Sequence, residues 1–346
     1  MSNFIEKIIS LGRTYIIAEA GINHNGDMAL ARKMIIAAKK NGADCIKFQN
    51  FIAEKYISRI AGKAGYQKQE AVVTKSQREI IGECEIDRKE TAELLDFAKK
   101  IGIDFISTPF ELDSFGLLME LGLPGIKISS CNLTNYPFLG EVARTRVPVL
   151  LSTGMSNLEE VTRAVEIFKR SGSPLILLQC TSNYPSKIKN ANLRVISKFR
   201  ELFNIPLGFS DHTPSSTAAI AAVALGAVVI EKHFTLSRKL PGIDQQASIE
   251  PRELKNLIVL IRECESALGK DVKEVVDEEE DTSLALRRSL VAARDLKKGE
   301  IITQDMIAIK RPGNGLSTSL LPQLLGKKLN RAVQNDELLR SEDFSS

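Results

Sequence analysis

Residues 15–49 read YIIAEAGINHNGDMALARKMIIAAKKNGADCIKFQ and show the pattern of a complete strand–helix–strand unit. The short apolar, β-branched runs at Tyr15–Ala18 and Cys45–Phe48 predict two buried strands. Between them, Asp27 is placed to cap the start of an amphipathic helix, and Asn41-Gly42 is placed to end it. This stretch therefore predicts one unit of a parallel α/β fold.

The same alternation of short apolar runs and helical segments continues to about residue 268, which is typical of βα units around a parallel sheet. No GxGxxG motif follows the first strand and no P-loop occurs, so a nucleotide-binding doubly wound sheet lacks its usual marker. About eight units in some 250 residues favour a (β/α)8 TIM barrel. The predicted barrel strands are Tyr15–Ala18, Cys45–Phe48, Asp104–Ser107, Gly125–Ile128, Val147–Leu151, Leu175–Leu178, Ile205–Gly208 and Val228–Ile230.

The pattern changes after the barrel. An acidic run within residues 269–282 is typical of a linker. Short β-like runs at Ser289–Ala292 and Met306–Ile309, separated by turn signals, predict a small β-rich domain. We therefore predict a catalytic barrel over residues 1–268, a linker and a C-terminal domain over residues 283–346.

Composition and charge exclude several classes of protein. Lys and Arg number 47 against 43 Asp and Glu, a net charge of +4, which is too balanced to indicate a nucleic-acid or membrane surface. The five cysteines form no CxxC pair and are odd in number, as expected of reduced thiols. Residues 1–13 lack the apolar core of a signal peptide. We expect a cytoplasmic protein with no nucleic-acid and no membrane partner.

One βα connection is unusually long. Residues 54–85 lie between the second and third predicted strands and are rich in Lys, Gln and Gly. A connection of this length is either an active-site loop or a solvated insertion without functional consequence, and the sequence leaves both interpretations open.

Polar residues follow the predicted strands, whose C-terminal ends meet at one mouth of a TIM barrel. Lys47 and Lys127 close apolar strands, where an ammonium without a partner is costly. Together with neighbouring Ser and Thr hydroxyls they could hold a phosphate group. The alternative is a pair of internal salt bridges with Glu19 and Glu231.

Two of the three histidines, His212 and His233, close the last two predicted strands. Their separation, 233 − 212 = 21 residues, is one βα unit, so neighbouring strands would direct both imidazoles to the same place. Such a pair suits a divalent transition metal with open positions for water and substrate. The alternative is a pair of polar core histidines. These residues indicate a metal-assisted reaction on a small phosphorylated or carboxylated substrate.

Seven motifs in order along the chain narrow this interpretation. They are AEAGINHNG (18–26), IKFQ (46–49), ISTPF (106–110), LSTG (151–154), GFSDHT (208–213), IEKHFT (230–235) and KRPGNG (310–315). With them the sequence resembles the bacterial sialic acid synthase family, which carries a C-terminal antifreeze-like (SAF) domain. These enzymes condense phosphoenolpyruvate with an N-acetylated hexosamine to a nine-carbon 2-keto acid and release phosphate.

The resemblance implies roles for the matching residues. His212 and His233 would bind a divalent metal, usually manganese. Independently of the resemblance, Glu19 is our candidate for proton transfer, and a salt bridge with Lys47 is its alternative role. Arg311 would reach from the SAF domain into the partner subunit's barrel in a domain-swapped homodimer. The residues that would hold phosphoenolpyruvate are Lys47, Lys127, Thr108, Ser130, Ser152 and Ser210, and those that would line the sugar site are Glu19, Gln49, Tyr184 and Asp244.

Asn132 departs from the family's pattern. After the residue that matches Lys127, the family commonly reads Gly-Ser-Gly-Glu, whereas this chain reads Ser129-Ser-Cys-Asn132. An amide hydrogen-bonds but does not take up a proton at neutral pH. If the family's glutamate contributes charge or acid–base chemistry to the sugar aldehyde, this chain either differs in its acceptor sugar or uses Glu19 instead. N-acetylmannosamine and the 2,4-diacetamido hexoses that lead to legionaminic or pseudaminic acid stay open as acceptors.

Two other classes of function stay open as well. One is a different metal-dependent enzyme, either an aldolase or a phosphoenolpyruvate condensation on a phosphorylated sugar. The other is a non-catalytic carbohydrate- or ice-binding protein.

Overall fold

The computed structural model describes residues 3–62 and 76–345. Part of the excursion over residues 54–85 therefore lies outside the described residues. The chain divides into two compact units, Met1–Gly269 and Lys270–Ser346.

The first unit is built around eight parallel strands in the order β3-β2-β1-β8-β7-β6-β5-β4. Strands β3 and β4 contact each other and complete the circle. The predicted TIM barrel is confirmed. The strands are β1 (Tyr15–Gly21), β2 (Cys45–Asn50), β3 (Asp104–Pro109), β4 (Ile126–Ile128), β5 (Val149–Ser152), β6 (Leu175–Cys180), β7 (Leu207–Asp211) and β8 (Val229–His233).

Helices occupy the connections between the strands. As predicted, the Asp27 side chain caps the first βα helix by accepting hydrogen bonds from the backbone N–H groups of Ala29 and Leu30, which would otherwise lack partners. The helices of this unit are α1 (Phe4–Ser10), α2 (Met28–Lys40), α3 (Ala53–Tyr56), α4 (Gln77–Gly82), α5 (Arg88–Ile101), α6 (Leu112–Glu120), α7 (Tyr136–Arg144), α8 (Leu158–Ser171), α9 (Arg194–Phe203), α10 (Thr217–Ala224) and α11 (Pro251–Leu268).

Successive side chains of each strand point to opposite faces of the sheet and so belong to two separate apolar cores. On β2, Ile46 and Phe48 belong to the large core between strands and helices, whereas Cys45 belongs to a smaller apolar cluster that includes Phe4 and Ile8 of α1. Lys47 lies two residues after Cys45, on the same face of the strand. The N-terminal part of the barrel interior is therefore apolar, and the charged residues lie towards the C-terminal ends of the strands.

The second unit contains the antiparallel pair β9 (Ser289–Ala292) and β10 (Ile307–Lys310) and has its own apolar core. It also contains α12 (Glu280–Leu286) and α13 (Leu321–Leu324). The predicted linker over residues 269–282 is therefore partly helical. Of its acidic residues, Glu280 and Asp281 lie in the first turn of α12, where negative charge is favoured. Among the described residues, no helix has both the length and the apolar character needed to cross a membrane.

Candidate active site

A cavity of about 330 Å³ lies at the C-terminal ends of the barrel strands. All predicted site residues except Arg311 line it, although they come from distant parts of the barrel sequence. Arg311 belongs to the second unit, where it is exposed. The predicted residues that line the cavity are Glu19, Lys47, Gln49, Thr108, Lys127, Ser130, Ser152, Tyr184, Ser210, His212, His233 and Asp244.

Lys47 is the centre of a buried ion cluster. Its Nζ lies 2.9 Å from Glu19 Oε2 and 3.5 Å from Glu231 Oε2. The same ammonium donates a hydrogen bond of 3.0 Å to Thr108 Oγ1. Burial disfavours the ammonium, but the two carboxylates outweigh it and raise the pKa of Lys47. Lys47 is therefore charged, and it forms ion pairs with both carboxylates.

Lys127 is also buried but is paired more weakly. Its Nζ lies 3.8 Å from Glu231 Oε1 and donates a hydrogen bond of 3.0 Å to the Ile128 carbonyl. Burial lowers the pKa of Lys127, and Lys47 adds to the decrease. The salt bridges that the sequence left open as an alternative are thus present, with Glu231 shared between the two lysines.

The pKa values of the two carboxyl groups of this cluster are shifted in opposite directions. Burial opposes ionisation of Glu231, but Lys127 and Lys47 lower its pKa overall, and Ser210 Oγ donates a hydrogen bond of 2.8 Å to it. Burial raises the pKa of Glu19, against the effect of Lys47. A carboxyl group with a raised pKa exchanges a proton more readily near neutral pH. Of the two, Glu19 is the better candidate for proton transfer.

A group of hydroxyls lies beside the lysines. Ser152 Oγ is buried without a hydrogen-bond partner, and the Gly154 N–H donates to Ser130 Oγ at 2.9 Å. A Cβ at Gly154 would lie 2.1 Å from Ser182 Oγ, so only glycine allows these hydroxyls to approach the backbone. Ser182 was not among the predicted residues, although it lines the cavity. Hydroxyls and ammonium groups together provide the donors that a phosphate group requires.

His212 and His233 are brought together as predicted. Their ring centroids are 5.3 Å apart, and the Tyr184 ring lies 4.1 Å from that of His212 and 5.3 Å from that of His233. His212 Nδ1 lies 2.8 Å from the Thr181 carbonyl oxygen, which fixes the ring and makes Nδ1 the protonated nitrogen. Burial lowers the pKa of His212, but Cys180 and the Thr181 carbonyl outweigh burial and raise it. In the neutral form of the ring, Nε2 carries the lone pair.

His233 is suited to act as a neutral ligand. Its Nδ1 is buried without a hydrogen-bond partner and lies 3.8 Å from Asp244 Oδ2. Burial lowers the pKa of His233 well below its ordinary value, and the charges of His212 and Lys47 lower it further. An imidazole must be neutral to coordinate a metal.

The donor set fits a divalent metal with open coordination positions. Within residues 3–62 and 76–345, no three or more His, Cys, Asp or Glu side chains converge in a way that would hold a metal ion. If a metal binds here, His212 and His233 are the two imidazoles that would hold it, and water or substrate would supply the remaining ligands. A ring nitrogen bonded to a backbone carbonyl, as in His212, is the usual second contact of a metal-ligating histidine.

Sequence reasoning missed an aromatic wall of the cavity. Phe51, Tyr56 and Phe110 line it, with Tyr56 and Phe110 in closest contact at a centroid separation of 4.6 Å. Tyr56 belongs to the long excursion, so the described part of that connection does contribute to the site. Phe110 is the last residue of the ISTPF motif and directly follows β3. This position after a barrel strand is the sequence signal that could have placed it at the cavity.

Cys180 was missed as well. It ends β6, in register with Ser210 of β7, and its Sγ lies 3.8 Å from His212 Nδ1. Burial favours the thiol, but His212 outweighs it and lowers the pKa of Cys180 to about 7. Side chains two residues apart on a strand point to the same face. Cys180 therefore shares the inward face of Leu178, and this spacing would have identified it.

Asn132 does not line this cavity. It is buried at the edge of a neighbouring groove. Its Nδ2 donates a hydrogen bond of 3.0 Å to the Phe110 carbonyl, and its Oδ1 accepts one of 3.2 Å from Asn135 Nδ2. The Asn132 amide therefore supports the backbone next to the aromatic wall.

Comparison with known proteins identifies the family of this chain. Residues 34–273 match the NeuB family, and residues 287–345 match the SAF domain. The chain belongs to the NeuB family. The resemblance predicted from the seven motifs, including the C-terminal SAF domain, is thereby confirmed.

Several of the similar proteins are named as synthases. The N,N'-diacetyllegionaminic acid synthase of Campylobacter jejuni is 43% identical over 331 residues, which cover 95% of this chain and 99% of that protein. The human N-acetylneuraminate-9-phosphate synthase is 35% identical over 95% of this chain and 92% of its own length. A crystal structure of N-acetylneuraminic acid synthetase from Leptospira borgpetersenii, in complex with citrate, superposes with a TM-score of 0.70 at 35% identity, over 78% of this chain and 90% of that one.

Proposed function

We propose that this NeuB-family chain is a nonulosonic acid synthase. It condenses phosphoenolpyruvate with the aldehyde of an N-acetylated hexosamine, either N-acetylmannosamine or a 2,4-diacetamido hexose, and releases phosphate. The observation that carries the proposal is the meeting of two buried lysines, a hydroxyl cluster and two histidines in one cavity. The names of the relatives, which are synthases of legionaminic acid and of a phosphorylated neuraminate, support the same reaction class.

Phosphoenolpyruvate is the substrate that the lysines and hydroxyls would hold. Lys127 has no carboxylate within hydrogen-bonding distance among the described residues, since its closest ion-pair distance is 3.8 Å. It therefore retains donors for an anion. Ser152, whose hydroxyl is buried without a hydrogen-bond partner, gains one when a phosphoryl or carboxylate oxygen arrives. Binding of the anion thus satisfies polar groups that are costly to leave unpaired.

The reaction joins C3 of phosphoenolpyruvate to the aldehyde carbon. Water adds to C2, and the C2–O bond to phosphate breaks, leaving a 2-keto acid and inorganic phosphate. A divalent metal, manganese in our proposal, would be held by His212 and His233 and would supply Lewis acidity to the aldehyde oxygen or to the attacking water. Lys47 and Lys127 would hold the phosphoryl group until it leaves.

Glu19 would move the proton. Its raised pKa and its hydrogen bond of 2.8 Å from Gln49 Nε2 support a role as the acid that protonates the aldehyde oxygen when the C–C bond forms. Tyr184, Asp244 and Gln49 would orient the sugar. We place the reaction in the cytoplasm, in agreement with the five cysteines, all of which are free thiols.

The test is a coupled measurement on the wild-type protein after removal of metals. With Mn²⁺ restored, we expect phosphate release to equal phosphoenolpyruvate consumption, and both to require one of the acceptor sugars. Without metal we expect neither. An aldolase would form product without phosphate release, and a synthase for phosphorylated sugars would prefer a phosphosugar. A carbohydrate-binding protein would leave phosphoenolpyruvate intact. Each of these results would contradict the proposal.

Arg311 provides a prediction about the second unit. It lies in the turn 311–315, where the Gly313 N–H donates to the Leu284 carbonyl at 2.7 Å and Ser289 Oγ donates to the Pro312 carbonyl at 2.7 Å. On the family resemblance, we propose that Arg311 reaches a partner's barrel in a domain-swapped homodimer and contacts the sugar. Loss of a charged hydrogen bond should raise the acceptor KM of Arg311→Ala about tenfold or more and leave the KM for phosphoenolpyruvate nearly unchanged.

Steady-state kinetics with each substrate varied in turn measures both constants. The matched control is Lys310→Ala at the adjacent position, where the lysine is paired with Asp336 of its own unit and no effect on either KM is expected. Equal increases in the two KM values of Arg311→Ala would contradict a sugar-facing role, and a monomer in solution would contradict the domain swap.

A further inference from the structure

The aromatic wall gives the cavity an apolar side as well as a charged one. Phe51, Tyr56 and Phe110 form a mutually packed triplet, with centroid separations of 6.4 Å between Phe51 and Tyr56 and 5.7 Å between Phe51 and Phe110. All three rings line the cavity. An acceptor that fills this cavity must therefore place an apolar group, such as an acetamido methyl, against the wall.

Two hydrogen bonds hold the backbone of Phe110 in position. Phe110 lies between the end of β3 and the start of α6, and its N–H donates to the Asn50 carbonyl at 3.2 Å. Its carbonyl accepts the hydrogen bond of 3.0 Å from Asn132 Nδ2. Asn132 is itself oriented by Asn135, whose Nδ2 donates to Asn132 Oδ1 at 3.2 Å. The amide thus acts as donor and acceptor at once, and its orientation is fixed.

A carboxylate at this position could not play the same role. Ionised carboxylates only accept hydrogen bonds, so the substitution Asn132→Asp or Asn132→Glu would set an anion against the Phe110 carbonyl. Asn132 is 5% exposed, which leaves little water to screen that repulsion. The amide is therefore matched to this wall in a way that a carboxylate is not.

We infer that Asn132 is a positioning residue for the acceptor: it holds Phe110, and through Phe110 the aromatic wall, in the geometry that binds the apolar substituents of the sugar. This inference rests on the proposed function, because it concerns the acceptor of that reaction. It assigns Asn132 no contact with substrate and no proton transfer. It predicts that acceptor binding and acceptor selectivity depend on the residue, whereas phosphoenolpyruvate binding does not.

The decisive variant is Asn132→Asp, which keeps the size of the side chain and removes the donor. We expect the acceptor KM to rise about tenfold, the effect of losing one buried hydrogen bond, while the KM for phosphoenolpyruvate stays within about twofold of wild type. The preference for a 2,4-diacetamido hexose over N-acetylmannosamine, as a ratio of kcat/KM values, should fall, because the acceptor with more apolar substituents loses more contact with the wall.

A matched control lies at the other end of the barrel. Asn41 Nδ2 donates a hydrogen bond of 2.7 Å to the Ala37 carbonyl at the end of α2, so Asn41→Asp removes the same kind of bond away from the strand C-termini. Neither KM should change. A double-mutant cycle with Phe110→Leu tests the route: if Asn132 acts through Phe110, the two effects on acceptor KM are not additive.

A folded Asn132→Asp protein with wild-type acceptor KM and selectivity would overturn the inference, as would equal losses for both substrates, which indicate a general structural defect. Additive effects in the cycle would also overturn it. Should Asn132→Asp fail to fold, Asn132→Ala removes the amide without adding charge and carries the same expectations. Absence of phosphate release by the wild type would instead refute the proposed function, before any variant is compared.

Discussion

Replacing His212 by alanine is expected to abolish metal-dependent consumption of phosphoenolpyruvate, and added Mn²⁺ should not restore it. The chain offers two imidazoles to a metal at this site, with ring centroids 5.3 Å apart, so the variant keeps only His233. Loss of an outer-shell partner alone costs about 10- to 100-fold in metal affinity, and loss of a ligand from a two-residue site should cost at least as much.

Metal affinity can be measured without turnover, by titrating Mn²⁺ into metal-stripped protein and following free Mn²⁺ by electron paramagnetic resonance. His24→Asn is the matched control. His24 is buried, and its Nδ1 accepts a hydrogen bond from the Gly26 N–H, but it does not line the cavity. We expect its replacement to leave Mn²⁺ binding intact. Wild-type Mn²⁺ affinity in His212→Ala would refute the metal assignment.

The barrel could be predicted from sequence because its strands are short apolar runs separated by amphipathic helices. All eight predicted strands occur, but several continue further than the apolar run. Strand β6 extends from the predicted end at Leu178 to Cys180, and β8 extends from Ile230 to His233. A prediction based on hydrophobicity ends at the first polar residue, whereas the hydrogen-bonded ladder continues. Glu19 and His233, for example, are paired in register.

The positions of the site residues were predictable for the same geometrical reason. Parallel strands present their C-terminal ends at one mouth, so His212 and His233 had to meet if the barrel was correct. The distances within the ion cluster were not predictable. Whether Glu231 pairs with Lys47, Lys127 or both depends on the relative heights of β2, β4 and β8, and sequence spacing does not fix those heights.

The aromatic wall was not predictable from local pattern. Tyr56 lies in the excursion and packs on Phe110, which is 54 positions further along the chain by the numbering (110 − 56 = 54). Isolated aromatic residues in loops pack in many ways, and only the fold decides which of them share a surface. The role of Asn132 was hidden likewise, because its partner is a backbone carbonyl, which has no signature in the sequence.

Replacing Lys127 by methionine should lower kcat/KM for phosphoenolpyruvate by about 100- to 1,000-fold, the usual effect of removing one preorganised charged donor from an active site. The structure gives two reasons to expect a loss of function rather than of folding. Lys127 is 3.8 Å from its nearest carboxylate, and Glu231 keeps Lys47 and the hydrogen bond from Ser210 when Lys127 is removed. Methionine also retains much of the buried volume.

Lys47→Met is the informative comparison, because the two lysines occupy similar depths and differ in their partners. Lys47 neutralises both Glu19 and Glu231, so its removal leaves buried carboxylates with reduced compensation and should destabilise the fold by about 3–5 kcal/mol. Chemical denaturation of both variants measures this difference, and steady-state kinetics measures the effect on phosphoenolpyruvate. If Lys127 serves the substrate and Lys47 also serves the fold, Lys127→Met will show this decrease in kcat/KM yet be clearly the more stable of the two. A Lys127→Met protein that binds phosphoenolpyruvate as the wild type does would mean that the lysine only balances the charge of Glu231.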